Sequence, residues 1–132
     1  MNIFKTIEPY TGTRNRAEVK SSKDISVNVV KGTSGAIDNI SFALKNSSYE
    51  RISDSDHIGF EIFEDPTEDR IVIKFFNGGV WKLVKMKNQE HTRYFKAKLD
   101  DGRLALANKM VGSFDLCRDP ETKCYYIQKV LR

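Results

Sequence analysis

A chain of 132 residues with 39% hydrophobic and 30% charged residues has the composition of a soluble globular protein and the size of one domain around one core. No apolar run approaches the roughly 20 residues that span a bilayer, residues 1–16 (MNIFKTIEPYTGTRNR) lack the apolar stretch of a secretory signal, and two cysteines are too few for a disulfide framework, so a cytoplasmic protein with reduced thiols and no membrane association is expected. The net charge of +4 is unevenly spread, with six Lys and Arg against one Glu over residues 77–98 and four against nine acidic residues over 36–76.

Residues 9–24 are rich in Thr, Ser, Gly, Arg and Lys and poor in apolar side chains. Burial cannot offset the entropy of ordering such a segment, so residues 1–24 are expected to form a flexible arm. Its Arg14, Arg16, Lys20 and Lys23 suit either a nucleic-acid backbone or an ordinary solvated tail.

A first half follows over residues 25–76. Residues 25–30 read as a strand, the Gly32-Thr33-Ser34-Gly35 break turns the chain, and Ile37 and Ile40 alternate with polar residues as a second short strand. Phe42 and Leu44 continue its apolar face. Ser41 also suits an N-cap, and Leu44, Ser48 and Ile52 lie four apart, which predicts a helix of about three turns ending near Ser53. A hairpin is predicted next, with strands over 58–63 and 70–76 around a turn at 64–69.

The second half, residues 77–132, opens on Asn77-Gly78-Gly79, where positive φ is cheap. The chain then returns as a strand over 80–86, with Trp81, Leu83 and Lys85 on one face. Residues 87–91 are polar and loop out, and Tyr94, Phe95, Ala97 and Leu99 fit a strand better than a helix. About one helical turn is expected over 104–109, then a second hairpin from 110–117 and 124–131.

The two hairpins are nearly the same text. Residues 60–73 read FEIFEDPTEDRIVI and residues 114–127 read FDLCRDPETKCYYI, so Phe60, Asp65, Pro66 and Ile73 align without a gap on Phe114, Asp119, Pro120 and Ile127, an offset of 54. Alternation on both sides of an Asp-Pro turn specifies two antiparallel strands. One supersecondary unit is therefore expected twice, giving an α+β, mostly β domain of two strand-helix-hairpin halves.

The run Gly35-Ala36-Ile37-Asp38-Asn39-Ile40-Ser41-Phe42-Ala43-Leu44, followed by Ile52, Ile58, Phe60, Ile62 and Ile71 to Ile73, resembles the strand, helix, hairpin order of AbrB/SpoVT-type swapped-hairpin DNA-binding domains. The resemblance covers roughly residues 25–76. It implies a small pseudo-twofold β-barrel made from two halves of one chain, reading DNA with basic residues on its early strands and loops. Gly35-Ala36 stands where that family has Gly-Arg, so no contact is carried onto Ala36, and Ser41 stands where it has Pro. The composition also resembles that of small accessory proteins of bacteriophages and mobile elements.

The basic stretch KLVKMKNQEHTRYFKAK is the candidate site. Lys82, Lys85, Lys87, Arg93, Lys96 and Lys98 could neutralise phosphates, and Trp81, Tyr94 or Phe95 could stack on unpaired bases. The competing reading makes Trp81 and Phe95 core residues and the lysines a solvated face. The expectation is a non-enzymatic nucleic-acid-binding protein for single- or double-stranded DNA, a regulator or an accessory of replication or recombination. The alternative is a protein-binding accessory or inhibitor presenting the acidic hairpin or a strand edge, and a homodimer stays open. His57 and His91 sit in no metal-ligand or nucleophile-activating pattern, and the acidic residues 61–69 lack the rhythm of a calcium loop, so no catalysis, cofactor or metal is expected.

Overall fold

The computed structural model describes residues 23–31 and 37–131. Residues 1–22, with Arg14, Arg16 and Lys20, and the break at 32–35 lie outside them.

Among the described residues the chain runs β1 (Ile25–Lys31), β2 (Ile37–Leu44), α1 (Tyr49–Ile52), β3 (His57–Asp65), β4 (Arg70–Asn77), β5 (Trp81–Lys82), β6 (Val84–Lys85), β7 (Arg93–Lys98), α2 (Asp101–Lys109), β8 (Gly112–Phe114), β9 (Cys117–Arg118) and β10 (Tyr125–Val130). The strands form two antiparallel five-stranded sheets, β6-β7-β2-β1-β8 and β5-β3-β4-β10-β9. Among the described residues the domain is mostly β with two short helices.

Alternation explains the layering. On β2 and β7 the inward residues Ile40, Phe42, Leu44, Phe95 and Ala97 are at most 4% exposed, and on β3, β4 and β10 so are Ile58, Ile71, Ile73, Phe75 and Ile127. Aromatic rings join the two layers. Phe42 stacks on its cross-strand partner Phe95 with centroids 4.8 Å apart and meets Phe60 and Phe75 edge-on at 5.0 and 5.5 Å.

The offset of 54 reappears in the pairing. Ile58 pairs with Trp81, and moving each by that offset gives Gly112 and Val27, which also pair. Phe63 and Glu64 face Val72 and Ile71, while their counterparts Cys117 and Arg118 face Tyr126 and Tyr125. The aligned residues Ile73 and Ile127 pair with each other, so the relation between the halves turns about that point.

Several expectations are corrected. The second hairpin does not run over 110–117, since Met110 caps α2, Gly112–Phe114 pairs with β1 and only Cys117 and Arg118 pair with β10; the strand expected over 80–86 is two short strands, β5 and β6, with Leu83 between them. No closed barrel is found among the described residues, although the runs β5–β6 and β8–β9 each pass from the edge of one sheet to the edge of the other. At both crossings a backbone donor is spent elsewhere: the N–H of Leu83 donates to the Asp56 carbonyl at 2.7 Å, and that of Leu116 to the Asp24 carboxylate at 3.3 Å. The ladder that would close the barrel is interrupted there. The helix predicted from Ser41 is strand up to Leu44, because Ser41 pairs with Asn28 on one side and Lys96 on the other. Asn46 and Ser47 then take positive φ (56° and 59°), and only one helical turn follows. Helix α2 begins earlier than predicted, since the Asp100 side chain accepts from the Arg103 N–H at 2.9 Å and caps it.

Candidate functional site

Strand β7 is where the basic stretch acquires a direction. Phe95 and Ala97 point into the core, so Tyr94, Lys96 and Lys98 project from the opposite face of the first sheet. Their neighbours on β2 are Ala43, Ser41 and Asn39, followed on β1 by Ser26, Asn28 and Val30. Val84 of β6 lies opposite Tyr94, and Ser113 of β8 meets Ser26 through their hydroxyls at 3.2 Å. None of these outward positions is acidic. The face is short-chained, polar and bordered along one edge by two exposed lysines.

Around that edge the strand crossing opens a concavity of about 250 Å³, lined by Phe60, Glu61, Ile62, Trp81, Lys98, Leu99 and Arg103. Pairing with Ile58 places Trp81 at the rim of the core, where its ring packs on Phe60 at 4.8 Å and lies 6.3 Å from Phe95. The indole is only partly buried and is among the groups that line the concavity. Arg103 sits in the first turn of α2, with its guanidinium 3.8 Å from the exposed Asp100 carboxylate. Two cations and a ring thus share one depression.

The remaining predicted residues are dispersed. Lys82 is exposed on β5 and Lys87 in the loop that follows β6. Lys85 is held by Glu90 at 3.1 Å, and that ion pair keeps the Glu90 carboxyl below its usual range. Arg93 lies over the Tyr49 ring at 4.4 Å and donates to the carbonyls of Glu90 and Thr92 at 3.0 and 3.1 Å. Its guanidinium therefore closes the loop against β7. The Tyr94 hydroxyl donates to Gln89 at 2.6 Å, which ties the ring to the same loop. Phe95, expected as a stacking ring, is 4% exposed and belongs to the core.

Lys23 pairs with Asp115 at 3.3 Å, beside β8, at the far edge of the sheet from β7. It does not join the other cations. Arg103 was missed by sequence reasoning, since one arginine in LDDGRLALANK carries no pattern of its own. Its only local signal was Asp100 three residues earlier, which marks a helix start and so a fixed place for the arginine.

His57 is hydrogen-bonded to Asp56 at 2.8 Å and His91 to Ser47 at 3.0 Å. Among the described residues no group of three or more His, Cys, Asp and Glu could hold a metal ion. Cys117 and Cys124 are free thiols, and burial pushes the Cys117 thiol up from its usual pKa. No helix among the described residues is long and apolar enough to cross a membrane. Comparison with protein-family models, curated proteins and solved structures returned no match.

Proposed function

We propose that this chain binds single-stranded nucleic acid, seating an unpaired base beside Trp81 and following the phosphates with Lys98, Arg103 and Lys96. The observation that carries the reading is the depression in which a partly exposed indole adjoins Lys98 and Arg103. A phosphodiester strand needs both elements at once: cations for the backbone, and a ring for bases that have lost their stacking partners. Duplex DNA would offer the ring nothing. The neighbouring sheet face, free of acidic residues in its outward strand positions, lets a polyanion continue past Lys96 without repulsion.

The alternative, a protein-binding module that presents the acidic hairpin, has Phe63 in its favour, a ring 37% exposed beside Glu61 and Glu64. Salt separates the two readings. Anisotropy of a labelled single-stranded oligonucleotide should rise on titration at low salt, with the affinity falling steeply as salt increases. An unchanged anisotropy at every protein concentration would remove nucleic acid and leave the acidic hairpin as the functional surface.

A further inference from the structure

We infer that the outer face of the second sheet carries a slot for an arginine side chain of a partner protein, a site separate from the depression beside Trp81. The first half of the chain shows how such a slot is filled. Arg70 donates through Nε to the Asp65 carboxylate at 2.9 Å and through Nη1 to the Gln128 side-chain oxygen at 2.7 Å, and its guanidinium lies 5.8 Å from the centroid of the Tyr126 ring. The offset of 54 carries Asp65 to Asp119, Pro66 to Pro120, Arg70 to Cys124, Val72 to Tyr126 and Lys74 to Gln128. The backbone of the turn is repeated, since the Asp119 N–H donates to the Cys124 carbonyl at 2.9 Å where Asp65 is the partner of Arg70. The side chain is not: a cysteine stands in the place of the arginine. What it leaves open is a depression of about 260 Å³ lined by Asp119, Pro120, Cys124, Tyr126 and Lys74, with Phe63 on the side of the first half. Lys74 and Tyr126 are cross-strand partners, and the buried Ile73 and Ile127 beside them turn both outward.

The walls suit a guanidinium. Asp119 is held in its turn by the Glu121 N–H, which donates to Oδ1 at 2.9 Å and keeps the carboxyl below its usual range. Asp65 accepts in the same way from the Glu68 N–H at 3.4 Å and still takes Arg70 on its other oxygen, so a turn carboxylate of this kind can serve both. Asp119 takes part in none of the ion pairs among the described residues. Two cations border the slot, and each has an acidic neighbour: Arg70 is paired with Asp65, and Lys74 has Glu61 as its cross-strand partner on the same face. A guanidinium is planar, weakly hydrated and donates as a fork, so it can meet a carboxylate while lying against a ring or a proline, whereas an ammonium is a point charge that keeps its water. The occupant is a peptide arginine because the first half supplies one in that form, reaching over from adjacent backbone, and because Phe63, 37% exposed at the border of the slot, offers an apolar contact to the residue beside it.

The test titrates the isotopically labelled whole chain with four end-blocked tripeptides, Gly-Arg-Gly and its counterparts with lysine, citrulline or glutamate in the middle, and follows the backbone amides by NMR. Citrulline keeps the length and plane of arginine without its charge. The arginine peptide should move the amides of Asp119, Cys124 and Tyr126 saturably and bind at least about fivefold more tightly than any of the other three. Two variants approach the slot from opposite directions. Asp119→Asn keeps an oxygen for the turn but removes the charge, and Cys124→Arg fills the slot from within, as Arg70 does in the first half; each should abolish the saturable shifts, with circular dichroism to check the fold. A lysine, citrulline or glutamate peptide that binds as well as the arginine peptide, binding that survives in either folded variant, or no shift with any peptide would overturn the proposal. The peptide preferences of the unaltered chain decide the matter even if a variant does not fold. Nucleic-acid binding, placed on the other sheet and its edge, stands or falls separately.

Discussion

Replacing Lys96 and Lys98 together by alanine should change how binding responds to salt while leaving the fold alone. If Lys96, Lys98 and Arg103 each neutralise one phosphate of a single strand, log K should fall against log salt with a slope of about −2.1, so that raising salt from 50 to 200 mM weakens binding about 18-fold. Arg103 can contribute because its pairing with Asp100, at 3.8 Å between exposed groups, is too weak to hold it back. Loss of two contacts should bring the slope to about −0.7 and the same salt step to about threefold. Both lysines are exposed on a strand whose inward residues are untouched, so each substitution should alter stability by less than about 0.5 kcal/mol. The assay is anisotropy of a labelled thymidine strand at several salt concentrations, with thermal unfolding alongside. An unaltered chain with a slope near zero, or a double variant that keeps the original slope, would refute the reasoning.

Lys85→Ala should reduce the slope less than Lys96→Ala in the same titration, because Lys85 already spends its charge on Glu90. Phe42→Ala should cost about 3 to 5 kcal/mol in chemical denaturation, since the ring is fully buried and touches three other rings. Gly79→Ala should destabilise by about 1 to 3 kcal/mol in the same experiment, because a Cβ on Gly79 would fall on the backbone of Gly59 and Ile58. Acid should weaken the fold in a defined direction. The Arg70 guanidinium, 2.9 Å from Asp65, holds that carboxyl below its ordinary range. The stability it contributes is present above the unfolded carboxylate value near about 3.9 and is lost as pH falls through the lower folded value. Circular dichroism below about pH 4 should therefore show a shallower acid loss in Asp65→Asn than in the unaltered chain.

The first hairpin was legible because it carries its own instructions, alternation plus an Asp-Pro turn, within fourteen residues; of the second only Cys117 and Arg118 pair with β10, because residues 112–114 are taken by β1 in the other sheet. Strand β7 was legible for a similar reason. The crossings between the sheets were not. Trp81 and Leu83 alternate inward as in any continuous strand, and the interruption comes from the Asp56 carbonyl, 27 residues earlier, capturing the Leu83 N–H. Ser41 was misread as a helix cap because a spacing of four through Leu44, Ser48 and Ile52 also fits a strand followed by a turn, and only its two strand neighbours decide between them. The rings presented the same ambiguity. Periodicity placed Trp81 and Phe95 on apolar faces, but Phe95 lies in a central sheet layer and Trp81 at an edge where the core opens. Arg103 was invisible because its place beside Lys98 is created by helix α2 folding back over β2 and β3.

The central claim is that the indole of Trp81 touches a base. It is the one tryptophan in the chain, so its fluorescence reports on that depression alone. Titration with an unlabelled single-stranded oligonucleotide at low salt should quench the emission saturably, and added salt should restore it. Binding that leaves the emission unchanged, or no binding at all, would contradict the account.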